Sequence, residues 1–348
     1  MEKILFILKR REDFDEIIHS NIGLSTGLYN SASFVVNMLN YCGIDSKLVV
    51  VNDNNDVDRE VADYKPTHVI IEALWIIPTK FSILQRLHPK VKWIVRLHSE
   101  IPFLAGESMA LDWIGDCASY TNVYIGVNAP RTLPEVVMYL RLRGIPNADK
   151  KVVYLPNYYP QDYKVKRSHE QTNTVNIACF GAVRLLKNHL LQAFAALVFA
   201  DRRGLKLKFH VNAGRIEMLG EPVSNNLRCL FEQIHASGHE LINHQWTPRE
   251  QFLKLCSTMD IGMQVSFSET FNIVAADLIS QGIPVVGSKE IPWMSPQYCA
   301  EPTSTESLVN CLSLVYDQPK TNVEINQKRL TEYTTNTKKV WYNYIKGN

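Results

Sequence analysis

Short apolar runs alternate with longer segments of helical periodicity along almost the whole chain. Continuous apolar runs separated by helices predict a parallel sheet that is covered on both faces. The chain is therefore predicted to be a doubly wound α/β protein. The strands expected in the first half are Ile4–Leu8, Lys47–Val51, His68–Ile71, Trp93–Leu97, Val123–Val127 and Val152–Leu155. The second half is expected to hold strands Val175–Phe180, Leu207–Val211, Ile261–Val265 and Pro284–Val286, with helices over Asn188–Phe199, Arg249–Ser257 and Thr270–Gln281.

One polar stretch interrupts this alternation and divides the chain. Residues 161–174 read QDYKVKRSHEQTNT, a composition typical of a linker. A chain of 348 residues is long enough for two domains. We therefore predict a first domain over residues 1–160 and a second over residues 175–322. The polar, helical tail over residues 323–348 is expected to pack back on the first domain.

The composition argues against several classes of protein. Hydrophobic residues make up 46 % of the chain and charged residues 21 %, which is ordinary for a globular protein and not for a disordered one. The formal net charge of +2 gives no bulk support for binding to nucleic acid or to a membrane surface. The seven cysteines are odd in number and scattered, which favours free thiols in a reducing compartment.

Neither a targeting segment nor a metal motif is predicted. The apolar run at the N-terminus is too short for a signal sequence, and no run of about 18 apolar residues occurs. We therefore expect a cytoplasmic protein without a transmembrane segment. No zinc-ligand spacing is present. Asp56-Val57-Asp58 imitates a metal-binding DxD motif, but it lies in a polar run and is interpreted as a solvated loop.

An acidic motif follows the strand Ile261–Val265. Glu269 lies in a polar turn, and a helix is expected to start around Thr270, where free N–H groups suit a phosphate or sugar hydroxyls. Asp277 comes eight residues after Glu269, about two helical turns on, so both carboxylates are expected on one face. Asp277 is also expected in an apolar helix, where burial of a carboxylate is costly unless it has a partner or a ligand. These features favour a binding role over surface charge.

A basic motif follows the strand Val175–Phe180. Gly181 permits a tight turn, and Arg184 and Lys187 follow where a helix is expected to open. Both cations can point at one anion, and the forked guanidinium suits a phosphate. Cations at a helix start oppose the helix dipole, which favours a function for these charges over a solvated helix start.

Together the two motifs resemble those of the retaining GT-B glycosyltransferases of family four. The resemblance implies two Rossmann-like αβα domains that face each other across a cleft, and transfer of a sugar from a nucleoside diphosphate with retention. It assigns Glu269 to the hydroxyls of the donor sugar, Asp277 to the ribose, and Arg184 and Lys187 to the pyrophosphate. The segment Thr270, Phe271 and Asn272 belongs to the same donor-binding element. Asp277 departs from the family, which has glutamate at that position.

Weaker matches complete the predicted site. His98, directly after the strand Trp93–Leu97, resembles a family histidine close to the reacting sugar. Gly23 and Gly27 bracket a segment that resembles the family's glycine loop, although a plain β–α turn explains it as well. Asn212 and Trp246 follow strands of the second half and are candidates to frame the nucleotide base, although core packing accounts for Trp246 nearly as well.

The family leaves the acceptor open. The donor is expected to be a UDP-sugar, which is a substrate, so no cofactor or metal is expected. The acceptor is either a saccharide or lipid-linked glycan, or a hydroxymethylated base of DNA, because parts of the first half resemble a phage-encoded subgroup. Acidic and basic residues nearly cancel over residues 1–160, whereas a DNA-binding protein should show a basic stripe. A GT-B sugar-nucleotide epimerase and a catalytically silent binding module are the alternatives from other classes.

Overall fold

The computed structural model describes residues 2–10, 26–164 and 173–347. The chain divides into two compact units. The first comprises Met1–Pro160 together with Thr334–Asn348, and the second comprises Gln161–Tyr333. Residues 165–172 of the predicted linker lie outside the described part of the chain.

The first unit contains a parallel sheet of six strands in the order β2-β1-β3-β4-β5-β6. The strands are β1 (Lys3–Lys9), β2 (Asp45–Val51), β3 (His68–Glu72), β4 (Lys92–Leu97), β5 (Val123–Val127) and β6 (Val152–Tyr154). The helices are α1 (Thr26–Tyr41), α2 (Asp56–Tyr64), α3 (Phe81–Leu87), α4 (Ile101–Leu104), α5 (Ala110–Ser119), α6 (Thr132–Leu142) and α7 (Ala148–Lys151). All six strands expected in this half are confirmed.

The second unit contains a parallel sheet of five strands in the order β11-β10-β7-β8-β9. The strands are β7 (Thr174–Cys179), β8 (Lys206–Val211), β9 (Glu240–Asn243), β10 (Ile261–Gln264) and β11 (Val285–Gly287). The helices are α8 (His189–Arg203), α9 (Gly220–Gln233), α10 (Arg249–Cys256), α11 (Ile273–Ser280) and α12 (Thr305–Asp317). The four expected strands are confirmed, and β9 is a fifth that the sequence pattern did not predict.

The last helix, α13 (Pro319–Lys346), begins in the second unit and ends in the first. Its residues from Thr334 onward belong to the first unit. There the Trp341 side chain is fully buried, with its ring centroid 5.7 Å from that of Phe6. The indole Nε1 donates a hydrogen bond to the carbonyl oxygen of Pro156 at 2.9 Å. The end of α13 is thus part of the core of the first unit.

Alternation along β1 separates the core of the first unit into two layers. Leu5 and Ile7 belong to one buried cluster, while Ile4 and Phe6 belong to another that includes Trp341. Successive strand residues point to opposite faces, so a strand buried on both sides is apolar throughout. The expected coverage of both faces is therefore confirmed. Among the helices described, none is long and apolar enough to cross a membrane.

Two local expectations are wrong. The helix expected from Thr270 begins at Ile273, because Asn272 caps it: its backbone has a φ of 58° and its Oδ1 accepts from the Ala275 N–H at 2.9 Å. The Asp56-Val57-Asp58 segment is not a loop but starts α2, where two acids suit the positive end of the helix. Asp58 there lies 2.7 Å from His88 Nε2.

Candidate active site

The topological switch point of the second sheet lies between β7 and β10. From β7 the chain proceeds to β8 on one side, and β10 lies on the other side. Ligands of open α/β sheets bind outside the carboxyl ends of the strands at such a point. Both motifs singled out in the sequence follow these two strands. Gly181, after β7, has a φ of 114°, which a side chain would strain, and its N–H donates to Asn212 Oδ1 at 3.2 Å.

Lys187 and Glu269 meet at this switch point. The Lys187 Nζ lies 2.5 Å from Glu269 Oε1, and the two side chains are 12 % and 7 % exposed. Asn272 Nδ2 donates to the same carboxylate oxygen at 3.1 Å. The structure thus brings together one residue of the basic motif and one of the acidic motif. Because ions this well shielded from water interact strongly, the pair holds both side chains in place.

Arg184 has a different carboxylate partner. Its Nη1 lies 3.6 Å from Glu217 Oε2, and Glu217 Oε1 accepts from Arg215 Nε at 2.7 Å. Arg184 and Lys187 do not open a helix, contrary to the sequence prediction. Arg184 precedes a short 3₁₀ turn that ends at Lys187, and α8 begins only afterwards. Both cations are therefore balanced by nearby acids.

Asp277 lies in α11, whereas Glu269 does not. Glu269 precedes the helix, so the expectation that both carboxylates share one helical face is wrong. Asp277 lies within α11 and pairs with Arg249, the first residue of α10, at 2.6 Å. The Asp277 side chain is 4 % exposed. The partner explains why an acid is tolerated in an apolar helix.

The residues between the two acids have distinct environments. Phe271 is 2 % exposed, and its carbonyl oxygen accepts from Trp293 Nε1 at 2.8 Å. Asn272 caps α11 and also donates to Gln264 Oε1 at 3.0 Å. Thr270 is partly exposed. Of the three, Thr270 presents its side chain most openly, whereas Phe271 acts as a core residue.

Asn212 and Trp246 lie at the carboxyl edge of the same sheet. Asn212 is buried and is committed to the turn at Gly181. The Trp246 ring lies beneath the guanidinium of Arg215, whose Cζ is 5.1 Å from the ring centroid. Arg215 and Glu217 thereby connect Trp246 to Arg184 through successive contacts.

His98 belongs to a buried polar network in the first unit. Its Nε2 contacts the fully buried carboxylate of Glu72, which also accepts from Arg96 Nη1 at 3.1 and 3.2 Å. Arg96 Nη2 donates to Asn157 Oδ1 at 2.6 Å, and Asn128 Nδ2 lies 3.3 Å from His98 Nδ1. Burial by itself would raise the pKa of Glu72, but Arg96 and His98 outweigh it and lower that pKa. For His98, burial lowers the pKa, and the negative charge of Glu72 opposes this shift.

This network borders a cavity of about 130 Å³ at the carboxyl ends of β1, β3 and β4. His98 and Glu72 line it together with Lys9, Trp75 and Ser99. Both ring nitrogens of His98 already have polar neighbours inside the protein. His98 therefore gains a fixed orientation, which sequence reasoning did not foresee.

The predicted glycine loop leads into α1. Gly27 is the second residue of α1, and a Cβ added there would meet nothing within 4 Å. Gly23, with residues 21–25 as a whole, lies outside the described part of the chain. Within the described residues, no group of three or more His, Cys, Asp and Glu side chains is arranged to hold a metal ion.

Sequence reasoning missed the partners of the predicted residues. Glu72, Glu217 and Arg249 each contact a residue of the predicted site from a distant part of the sequence. Only Glu72 carried a signal, since an acid that ends the buried strand His68–Glu72 requires a partner. The other two lie in polar segments where a charge is ordinary.

Comparison with known proteins found similar structures but no similar sequence family. No family model matches the chain, and no curated protein matches it. Solved structures do match over their full length. Sucrose-phosphate synthase from Thermosynechococcus elongatus has a TM-score of 0.69 at 12 % identity, covering 99 % of this chain and 100 % of that one. The Anabaena protein HepE, in complex with UDP and glucose, has a TM-score of 0.66 at 11 % identity, covering 100 % of both chains. The catalytic domain of starch synthase IV from Arabidopsis thaliana, bound to ADP and acarbose, has a TM-score of 0.68 at 7 % identity, covering 99 % of both chains.

These neighbours are GT-B glycosyltransferases. The chain has the GT-B fold. The predicted fold class, α/β with two Rossmann-like units, is thereby confirmed. At identities of 7 to 12 % the likeness shows the GT-B fold and nothing finer.

Proposed function

We propose that the protein is a glycosyltransferase that moves a sugar from a nucleoside-diphosphate sugar, with UDP as the leaving group, to a hydroxyl group with retention. The observation that carries this proposal is the contact between Lys187 Nζ and Glu269 Oε1, at the switch point of the second sheet of a GT-B fold. A buried cation beside a buried acid provides one group for the diphosphate and one for the sugar hydroxyls.

In the proposed reaction, the acceptor oxygen forms a bond to the anomeric carbon as the bond from that carbon to the phosphate oxygen breaks. The acceptor proton passes to the departing diphosphate. Arg184 and Lys187 stabilise the negative charge that develops on the diphosphate, because a forked guanidinium and an ammonium both bind phosphate oxygens strongly. Glu269 accepts hydrogen bonds from the sugar and orients it. This scheme assigns the charge stabilisation to side chains and calls on no metal or cofactor.

The remaining assignments follow the resemblance. We propose that Asp277 binds the ribose, with Arg249 as its counter-ion. His98, oriented by Glu72, is proposed to lie near the reacting sugar. The acceptor is proposed to be a saccharide or lipid-linked glycan. A hydroxymethylated base in DNA is the other acceptor to be tested, although the near-neutral charge of residues 1–160 does not favour it. The seven free cysteines fit a cytoplasmic enzyme.

The proposal is tested by offering the purified protein a panel of nucleotide sugars and following the products by mass spectrometry. Saccharide acceptors and hydroxymethylcytosine DNA are supplied beside unmodified DNA. Sugar found on a saccharide, or slow release of free sugar from one donor, supports the transferase. Sugar found on the modified DNA supports the transferase and assigns the acceptor to DNA. No turnover of any donor contradicts the proposal.

Two variants test the residues. Lys187→Met and Arg184→Met are expected to lower kcat/KM by about 100-fold or more, since each removes a charge that stabilises the leaving group. Lys254→Met is the matched control, because the Lys254 side chain lies in the same unit and is 74 % exposed. Full activity in the double variant Arg184→Met/Lys187→Met would show that these residues do not bind the diphosphate.

A further inference from the structure

A chain of four polar side chains crosses the second sheet. Asp260, just before β10, accepts from the Asn176 backbone N–H at 2.8 Å and from Asn176 Nδ2 at 3.1 Å. Asn176 Oδ1 lies 3.2 Å from His210 Nε2. His210 Nδ1 lies 2.8 Å from His244 Nε2, and the two ring planes differ by only 11°. The chain runs from the amino end of β10 to His244, which follows the carboxyl end of β9.

The contacts fix the positions of the protons. The Asn176 amide must direct its NH₂ group toward the Asp260 carboxylate, so its oxygen faces His210. An amide oxygen only accepts, and therefore His210 Nε2 carries a proton. Burial lowers the pKa of His210 to about 4, so the ring is neutral at neutral pH and its Nδ1 must accept. His244 Nε2 is then the donor to His210.

His244 consequently presents a lone pair. With its proton at Nε2, neutral His244 has an unprotonated Nδ1. Among the described residues, this atom has no hydrogen-bond partner, and it is not one of the buried polar atoms left without one. It is therefore not completely buried, and His244 as a whole is half-buried. A neutral histidine whose tautomer is not fixed could either donate or accept at Nδ1. The hydrogen bonds that lead from Asp260 fix His244 as the Nε2–H tautomer, so its Nδ1 can only accept.

His244 follows a strand of the same sheet as Arg184 and Lys187, the residues proposed to bind the diphosphate. It follows β9, two strands from β7, and its ring packs edge-on against the ring of Phe180, which directly follows β7, with the ring centroids 5.8 Å apart. Trp246, two residues further on, connects to Arg184 through Arg215 and Glu217. In the proposed arrangement, the base of a nucleotide lies beside Trp246 and His244 when its phosphates lie at Arg184.

We propose that His244 Nδ1 accepts a hydrogen bond from the ring N–H of the donor's base and so selects the nucleotide. The ring nitrogen at the pairing edge carries a hydrogen in uracil (N3) and guanine (N1). The same ring nitrogen carries a lone pair in cytosine (N3) and adenine (N1). A lone pair facing a lone pair leaves two acceptors unsatisfied, which is costly in a shielded site. This inference rests on the proposed function, and it makes UDP or GDP the leaving group rather than CDP or ADP.

UDP and CDP provide the test, because they share the ribose and phosphates and differ at this edge of the ring. We expect calorimetric titration to show that the wild-type protein binds UDP about tenfold or more tightly than CDP. The variant His244→Phe keeps a flat ring without the nitrogen, so the UDP:CDP affinity ratio should fall toward one, chiefly through weaker binding of UDP. His239→Phe is the control, since His239 precedes β9 at the opposite edge of the sheet, and it should keep the wild-type ratio.

A second measurement does not depend on the variant. Nitrogen-15 spectra of the labelled wild-type protein report which ring nitrogen carries the proton, and both His210 and His244 are expected as Nε2–H tautomers. The Nδ1–H tautomer at His244, or an unchanged UDP:CDP ratio in the variant, overturns the inference. Tighter binding of CDP or ADP than of UDP and GDP overturns it and leaves the transferase standing. Failure to bind any of the four nucleotides overturns the proposed function, and the inference with it.

Discussion

The guanidinium of Arg249 lies 2.6 Å from the carboxylate of Asp277, whose side chain is only 4 % exposed. Arg249 begins α10 and Asp277 lies in the middle of α11, so the pair also joins two helices. Removing one partner leaves the other charge poorly solvated. Replacing both residues by apolar ones leaves no buried charge, and proteins often tolerate such a double replacement.

The first prediction is a double-mutant cycle on this pair. Arg249→Met is expected to lower the free energy of unfolding by about 3 kcal/mol, because it leaves Asp277 buried and unpaired. The double variant Arg249→Met/Asp277→Leu should be more stable than Arg249→Met alone. Urea unfolding monitored by circular dichroism measures all four proteins. Strictly additive effects would mean that the two side chains do not stabilise each other.

The second prediction concerns Glu269. Glu269→Gln keeps the size of the side chain but weakens its contact with Lys187 and with the hydroxyls of a bound sugar. We expect kcat/KM for the best donor to fall about 100-fold, and the melting temperature to fall as well because the shielded Lys187 loses its counter-charge. Glu217→Gln is the comparison, since Glu217 contacts Arg184 from outside the switch point, and its effect should be only a few-fold. Equal losses in both variants would argue against a contact between Glu269 and the sugar.

The third prediction concerns the buried network of the first unit. Glu72 is fully buried, and its carboxylate contacts both Arg96 and His98. Glu72→Gln should lower the free energy of unfolding by about 3 kcal/mol or more, because Arg96 loses its counter-charge in a buried setting. Glu232→Gln, which affects an exposed pair on α9, should leave unfolding unchanged. An unchanged stability in Glu72→Gln would show that water or a rearranged side chain compensates Arg96.

The fold was predictable because its main determinant is local. A strand such as β1 is apolar throughout since both of its faces are buried, and that pattern is visible without any knowledge of its neighbours. β9 escaped prediction because it is a four-residue edge strand, Glu240–Asn243, whose polar ends interrupt the apolar pattern. The start of α11 was misplaced because Asn272 adopts a left-handed backbone that composition does not reveal.

For the candidate site, the sequence singles out individual residues but not their partners. Lys187 and Glu269 were identified because each follows a strand of the second sheet. That Glu269 would neutralise Lys187, and that Asp277 would bind Arg249, depends on side chains brought together only by the folded sheet. Similarly, Arg215 and Trp246 are far apart in sequence, and their contact arises where adjacent parallel strands end.

The fourth prediction is a pH dependence that originates at His189. This residue is 1 % exposed, and burial lowers its pKa to about 3. Between about pH 6.5 and 3, the unfolded chain binds a proton there and the folded protein does not, so stability falls as the pH falls. One such group contributes a slope of about 1.4 kcal/mol per pH unit.

The variant His189→Leu should remove that slope. Urea unfolding at pH 8, 6 and 5 measures it, and pH 8 is the internal control because neither state binds the proton there. We expect the stability of the variant to decline less steeply from pH 6 to pH 5 than that of the wild-type protein. Parallel curves for the two proteins would show that the pKa of His189 is not lowered in the folded state.

The path of α13 has a consequence for how the protein is made. The core of the first unit includes Trp341 and Ile345, which follow the whole of the second unit in the sequence. Domains generally fold in the order in which they leave the ribosome. Here α1 residues such as Val35 and Leu39 can cover the β1 face that holds Phe6 early, but Trp341 reaches it only after about 330 further residues are translated. The core of the first unit is therefore completed only after the second unit has been translated, and a chain truncated before Trp341 would leave Phe6 partly uncovered.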